Sequence, residues 1–420
     1  MAHADVGRSG ASGYRVNGAQ ARRFVFTCFL VLIFIGVRPF TPLSEAASAG
    51  SGNLLRQFLY ILTFASIFYV YVARGRGSVI RSVPLSTLLV LCWVFVSISW
   101  SVDPALTLRR SVIVIIVTLS VFWSVDMLGV DKSLRILKKL LAFVIIVDLL
   151  SIPIMPGATH PYEGAIAWAG MHGHKNTAGA IASLAALVFF HYMWLDKRKL
   201  DTLYFVCSVI FLIGTKSKTS IALLILLLFM VLVYRYFERS KNRQLAFRFV
   251  VLGAVSLMTA LYFAFQTEIT LLLDDPTTLT GRLSIWRVVF AYVPDHLLLG
   301  SGFGAFWEGA SAPARQYIVA SWMESVSHAH NSYLEILATT GVVGLVLSTL
   351  AFAVIPLFRV LSFNVVDKAG SLAFSWILFG IIGNMTKSQF LDRDSPEWVI
   401  ILFSIAIVFA KRSIPKYRSS

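Results

Sequence analysis

Apolar runs alternate with short polar stretches along almost the whole chain. A helix crossing a hydrocarbon core needs about 20 predominantly apolar residues. Runs of that order fall near 24–40, 54–73, 84–100, 111–129, 137–153, 176–195, 201–214, 219–236, 246–265, 332–356, 370–386 and 397–411. The pattern predicts an all-α polytopic membrane protein with about twelve transmembrane helices, the seventh of them short. One long polar segment, 266–331, interrupts the series between the ninth and tenth helices. No linker marks off a second domain. The expected organisation is a polar tail over 1–23, a single membrane domain over 24–411 and a second tail over 412–420. The first tail is Gly-rich and basic, and no small-residue cleavage site follows the first apolar run at the usual distance, which makes that run a retained helix.

Composition agrees with the pattern. At 57% hydrophobic and 14% charged residues, with a mean hydropathy of +0.76, the chain carries more apolar surface than a water-soluble fold of this length buries. Its three cysteines, Cys28, Cys92 and Cys207, lie inside apolar runs and suggest neither a disulfide framework nor a metal cluster.

Charge then sets an orientation. With both termini inside, 25 of the 37 Lys and Arg residues fall in inner segments, leaving 12 outside, as the positive-inside rule requires. The net charge of +16 is thereby a topology signal, helped by anionic head groups, and calls for no nucleic acid. The long 266–331 segment lies outside in this scheme. The outer cations are Arg38, Arg56, Arg109, Arg110, Lys175, Lys216, Lys218, Arg282, Arg287, Arg315, Lys387 and Arg393. Six of the eight histidines join them: His160, His172, His174, His296, His328 and His330. Cations held at that surface against the topological bias suit a diphosphate.

Four constellations carry candidate chemistry. Gly173-His174-Lys175-Asn176 opens the sixth helix, where free backbone N–H groups favour an anion, although a plain cap beside an interfacial lysine reads as well. Thr215-Lys216-Ser217-Lys218-Thr219-Ser220 sets two lysines among four hydroxyls, though lysines also snorkel from helix ends. In Gly281-Arg282-Leu283-Ser284-Ile285-Trp286-Arg287, Arg282 and Trp286 share a helix face, a guanidinium beside an indole; an interfacial amphipathic helix is the bland alternative. The last constellation, Ser327-His328-Ala329-His330-Asn331-Ser332-Tyr333-Leu334-Glu335, closes the long polar segment where the chain re-enters the membrane. Ser332-x-x-Glu335 fits a capping box, which sets His330 just before a helix N-terminus as a candidate base. His172-x-His174 with His328-x-His330 leaves a zinc reading open, without an external carboxylate or cysteine to complete a familiar ligand spacing.

The chain resembles the O-antigen ligase/polymerase superfamily of WaaL-type ligases, Wzy-type polymerases and ExoQ-type exopolysaccharide proteins. The resemblance rests on Trp100-Ser101-x-Asp103-Pro104, Gly173-His174-Lys175-Asn176, Ser217-Lys218-Thr219, Gly281-Arg282-x-x-x-Trp286 and His328-x-His330-Asn331-x-x-Leu334-Glu335, followed by Gly341 and Gly344. It spans roughly residues 85–410. It implies a GT-C-like helical fold that acts on an undecaprenyl-diphosphate-linked glycan without a cofactor or an obligatory metal. Carried over by position, His330 becomes the catalytic base and Arg282 a phosphate ligand, with Lys218 and Lys175 as further diphosphate ligands. His328, Asn331, Trp286, His174, Asn176 and Glu335 are then supporting residues. Many relatives carry Arg where this chain has Lys218, which exchanges a bidentate fork for a point charge.

The expected function is polymerisation of lipid-linked exopolysaccharide or O-antigen repeats at the periplasmic face of a bacterial inner membrane. Ligation of the glycan to lipid A core is the alternative within the same chemistry. Donor, acceptor glycan and bilayer are the expected partners, with other polysaccharide-export proteins beside them. A transporter or flippase is the weaker alternative, because only Asp148 lies deep in a span and the polar content is concentrated in one segment.

Overall fold

In the computed structural model the described residues are 18–36, 54–74, 80–162, 164–238, 240–250, 282–309, 311–318, 321–362 and 369–410. Helices account for most of them. In chain order these are α1 (Gly18–Phe34), α2 (Leu54–Ala73), α3 (Leu85–Val96), α4 (Pro104–Leu128), α5 (Val130–Ile154), α6 (Lys175–Asp196), α7 (Lys199–Gly214) and α8 (Lys218–Glu238). After the long polar segment come α9 (Arg282–Tyr292), α10 (Ser332–Thr349), α11 (Ile355–Val360), α12 (Gly370–Gly383) and α13 (Pro396–Phe409). Helices overlap eleven of the twelve expected spans, the first of them only to Phe34. For the twelfth, 246–265, the chain is helical to 250 and the rest lies outside the described residues, as do 266–281 of the polar segment. Helix α1 starts at Gly18, inside the stretch expected to be a tail.

Five helices are long and apolar enough to cross a membrane by length and composition: Leu54–Ala73, Pro104–Leu128, Lys175–Asp196, Lys218–Glu238 and Ser332–Val360. Leu85–Trp100, Gly370–Gly383 and Pro396–Phe409 are shorter apolar helices. Burial sorts them into layers. The apolar windows of α6 and α4 are 78% and 72% buried, whereas that of α2 is 17% buried. Helix α13 is enclosed from Glu397 to Val408 and packs on α12 and α4, with α6 against α7 and α8. Phe58, Leu62, Tyr69, Leu150, Ile213 and Phe229 stay exposed on the perimeter, a rim that suits lipid and not water.

Ion pairs join segments that the charge pattern expects on the same side. Arg56 pairs with Asp394 at 2.6 Å and Arg110 with Glu308, all expected outside. Lys138 pairs with Asp201 at 2.8 Å and Arg74 with Asp126 at 3.4 Å, all expected inside. The first two pairs join segments of the outer cap, as expected from charge, and the last two join segments of the inner cap.

The outer cap contains the one departure from an all-α fold among the described residues. Strands β1 (Thr159–Tyr162) and β2 (Ala165–Trp168) form an antiparallel hairpin, Thr159 opposite Trp168. Asp148, the carboxylate deep in α5, fastens the turn behind it. Its Oδ1 accepts from the Met171 N–H at 3.0 Å and its Oδ2 lies 2.9 Å from His172 Nε2. A buried carboxylate met by two partners here closes a loop, which takes from Asp148 the transport role a lone mid-span acid would suggest.

Helix α10 is broken at Gly341, where φ is 68° and ψ is −174°. The Leu297–Gly304 segment fills the break. Val342 N–H donates to the Leu297 carbonyl at 2.8 Å, and Ser301 N–H to the Ala338 carbonyl at 3.0 Å. A Cβ on Gly341 would drive into the Leu298 carbonyl oxygen, so only glycine fits this left-handed, crowded position. The same segment reaches the Trp100-Ser101-x-Asp103-Pro104 motif: Trp100 Nε1 donates to the Leu299 carbonyl at 3.0 Å and Val102 N–H to the Ser301 carbonyl at 3.0 Å. Two sequence motifs more than 190 residues apart thus meet as a single clasp on the outer cap.

Candidate active site

The His328–His330 segment is fixed from both sides of Ala329. The Ala329 N–H donates to Glu335 Oε2 at 2.7 Å, and the Ala329 carbonyl accepts from Trp286 Nε1 at 3.0 Å. Trp307 Nε1 donates to the same Glu335 oxygen at 2.9 Å. Glu335 and Trp286 therefore set the loop. The indole N–H is spent on the loop, while Arg282, one turn away on α9, lies near enough for its charge to act on both imidazoles.

The capping-box reading needs correction. The N-cap of α10 is Asn331, whose Oδ1 accepts from Tyr333 N–H at 3.0 Å and Leu334 N–H at 3.3 Å. An Asn side chain one residue earlier captures the free N–H groups first, which releases Ser332 and Glu335 for other work. Ser332 is buried. Its Oγ accepts from Gln389 N–H at 2.7 Å and Phe390 N–H at 3.0 Å, and it contacts Asn384 Oδ1. That network ties the start of α10 to the 384–390 segment between α12 and α13.

His330 itself has φ 53°, a left-handed conformation in a non-glycine residue that only a well-tied surrounding sustains. Its backbone N–H donates to His328 Nδ1 at 3.2 Å, and the two rings stand edge to face with centroids 4.0 Å apart. The acceptor role of His328 Nδ1 leaves that imidazole neutral with its proton on Nε2. His174 is similarly engaged: it caps α6, its Nδ1 accepting from the Asn176 N–H at 3.2 Å. Among these three histidines only the His330 ring makes no hydrogen bond to the described residues.

Burial, followed by the charges of Arg282, His174 and Lys387, pushes His328 down to about 4. His330 is likewise pushed down to about 4 by burial, then by His328, Arg282, His174 and Lys387. Both imidazoles are therefore neutral at physiological pH. Lys387, an outer cation of the 384–390 segment that motif reasoning left out of the site, donates from Nζ to the Asn176 carbonyl at 2.8 Å and lies 4.0 Å from Glu397. Burial lowers its pKa, with Arg282 adding to the effect. The signal that pointed to it was the charge count, which places a cation outside just after a span.

The structure thus brings together His330, His328, His174 and Arg282, adds Lys387, and uses Asn331, Trp286 and Glu335 as supports. Asn176 joins through its backbone, and its Oδ1 accepts from Ser217 Oγ at 3.2 Å, which moors the Thr215–Ser220 turn beside the site. Lys218 opens α8 on the exposed side of that turn and is not among the charges acting on the two imidazoles. Lys175 Nζ sits over the Tyr162 ring of the hairpin, 2.6 Å from its centroid. Among the described residues no three His, Cys, Asp or Glu side chains converge as a metal centre would, and His172 turns to Asp148 instead of the other histidines.

Apolar helices with a lipid-facing rim and a polar cap of imidazoles and cations define a multi-pass helical membrane protein with a candidate site at its outer cap. Residues 203–349 match the O-antigen ligase family, a stretch that holds Lys218, Arg282, Trp286 and the whole His328–Glu335 motif. The chain is also similar to the exopolysaccharide production protein ExoQ of Rhizobium meliloti (strain 1021), at 24% identity with 78% of each chain covered. The two comparisons support the O-antigen ligase/polymerase superfamily for this chain.

Proposed function

We propose that this protein polymerises undecaprenyl-diphosphate-linked glycan repeats at the periplasmic face of a bacterial inner membrane, with both termini in the cytoplasm and a GT-C-like arrangement of its spans. The carrying observation is His330: an imidazole free of hydrogen bonds to the described residues, held in a left-handed turn and close enough to Arg282, His174 and Lys387 for their charges to act on it. The acceptor hydroxyl attacks the anomeric carbon of the donor glycan. As the new glycosidic C–O bond forms, the bond from that carbon to the phosphate oxygen breaks, and its electron pair leaves with the lipid diphosphate. The hydroxyl proton passes to a ring nitrogen of His330, while Arg282 and Lys387 take up charge on the leaving group. A single displacement of this kind inverts the anomeric configuration.

The cluster explains why such a base waits for substrate. Burial, and after it the charges of His328, Arg282, His174 and Lys387, holds His330 near 4 in the free protein, where it accepts protons weakly. A bound diphosphate offsets the cationic part of that shift and moves the imidazole upward, toward the range in which general-base catalysis works best. The similarity to an exopolysaccharide production protein favours polymerisation, and the O-antigen ligase match keeps ligation as the second reading.

The test is transfer by the purified full-length protein on lipid-linked oligosaccharide, with His330→Ala beside it. A deletion strain complemented by each form should lose long chains and retain single repeats when the base is removed, by a factor of roughly a hundred to ten thousand in rate. Lipid-linked polymer accumulating unattached would identify a ligase instead. Full activity in His330→Ala would sink the mechanism.

A further inference from the structure

Below the histidine cluster, a groove of about 250 Å³ runs between α8 and α12. Its walls are apolar, built by Leu223 and Leu226 on α8 and Phe379 and Ile382 on α12. Leu226 is exposed, so the groove opens on the lipid-facing perimeter. Its upper end is polar and is formed by the segment that anchors α10. Lys387 and Gln389 line it there. Gln389 is 3% exposed, yet neither its amide nitrogen nor its amide oxygen has a hydrogen-bond partner among the described residues. Its Oε1 faces Gly383, where an added Cβ would come within 3.1 Å. A buried amide with both ends unmade is costly in a finished fold and marks a place that a ligand's polar end completes.

Shape and chemistry together name the occupant. The volume lies below the roughly 300–1,000 Å³ of ordinary ligand pockets, so it holds a stretch of a single hydrocarbon chain, not a sugar repeat. The polar end offers an ammonium and an amide donor, which suit a phosphate oxygen. Lys387 also acts on His328 and His330, which sets the groove's head beside the reacting end of the cluster. A glycerophospholipid brings two acyl chains to a one-chain groove. We infer that this groove seats the phosphate-proximal stretch of a polyprenyl phosphate, and that Lys387 and Gln389 hold its lipid-side phosphate and so position the glycosyl carbon against His330. The inference rests on the proposed transfer reaction for its purpose, and on the groove alone for the binding.

Native mass spectrometry of the purified full-length protein tests it, with undecaprenyl phosphate and phosphatidylglycerol offered separately. Ala222→Phe fills the groove from the exposed side of α8 without touching the histidines, and Lys387→Met removes the ammonium. Each should weaken undecaprenyl phosphate by about tenfold, the loss expected for one charge-assisted contact or one displaced chain segment. Lys387→Arg should restore binding, and phosphatidylglycerol should be indifferent to all three. Unchanged undecaprenyl phosphate binding in both disruptive variants overturns the inference, as does an equal fall for both lipids, which would mark the groove as an ordinary annular contact. His330→Ala separates the two readings. If groove variants lose the lipid while the wild type transfers no glycan, the function proposed above fails and the groove stands. If His330→Ala abolishes transfer while Ala222→Phe and Lys387→Met bind normally, the groove reading alone falls.

Discussion

Replacing Glu335 should separate placing the base from being the base. One oxygen of Glu335 accepts both the Ala329 N–H at 2.7 Å and the Trp307 indole N–H at 2.9 Å. An ordinary hydrogen bond contributes roughly 0.5–1.5 kcal/mol, and more when its partner is charged, so Glu335→Ala removes about 1–3 kcal/mol or more of local ordering and leaves two donors unmatched. Glu335→Gln retains an acceptor oxygen for both donors and should cost less. The cost falls on the His328–His330 turn, because Ala329 is its centre and His330 is held at φ 53°. A displacement of about 1 Å in a catalytic group costs on the order of a hundredfold in rate. Transfer by the purified protein should therefore fall about a hundredfold in Glu335→Ala and much less in Glu335→Gln, with substrate KM little changed. Thermal unfolding followed by size-exclusion recovery checks that the bundle survives, since α10 keeps its Asn331 cap and its buried face. Equal activity in all three proteins would refute the clamp, and an equal, complete loss in Ala and Gln would make Glu335 a participant in the chemistry.

Four further outcomes are expected. Arg282→Lys should impair transfer beyond a simple loss of charge, because a point ammonium replaces the guanidinium fork that faces His328 and His330; full activity would return Arg282 to an interfacial role. The pH profile should split: in kcat/KM the acid limb follows the free protein, whose His330 lies near 4, whereas in kcat it should move up, because bound diphosphate offsets Arg282 and Lys387. Coincident limbs would contradict that coupling. Gly341→Ala should lower recovery of folded protein by roughly 3 kcal/mol or more of stability, since its Cβ meets the Leu298 carbonyl at a left-handed φ, and wild-type thermal stability would count against the clasp. A reporter fused near Pro313 should show periplasmic activity, and cytoplasmic activity would invert the charge argument.

The sequence by itself determined the helical membrane class, because apolar runs of spanning length and a lopsided Lys/Arg distribution are local properties that need no fold to be read. It also singled out His330, His328, His174 and Arg282, whose charges act on one another in the structure. What it left undecided is which group does which task. Motif spacing assigned Ser332 the cap, but an N-cap is settled by which acceptor reaches the free N–H groups, and Asn331 reaches them first. Trp286 and Glu335 turn to Ala329 because that peptide presents both an N–H and a carbonyl between them. Lys387 enters the site only through the packing of the 384–390 segment on α10 and the N-terminus of α6. The glycine at 341 follows from a segment 40 residues earlier that fills the break in its helix. Periodicity records which face a residue turns to lipid; the partners of a polar group at the membrane boundary come from distant stretches of chain, and only their packing brings those partners within hydrogen-bond reach.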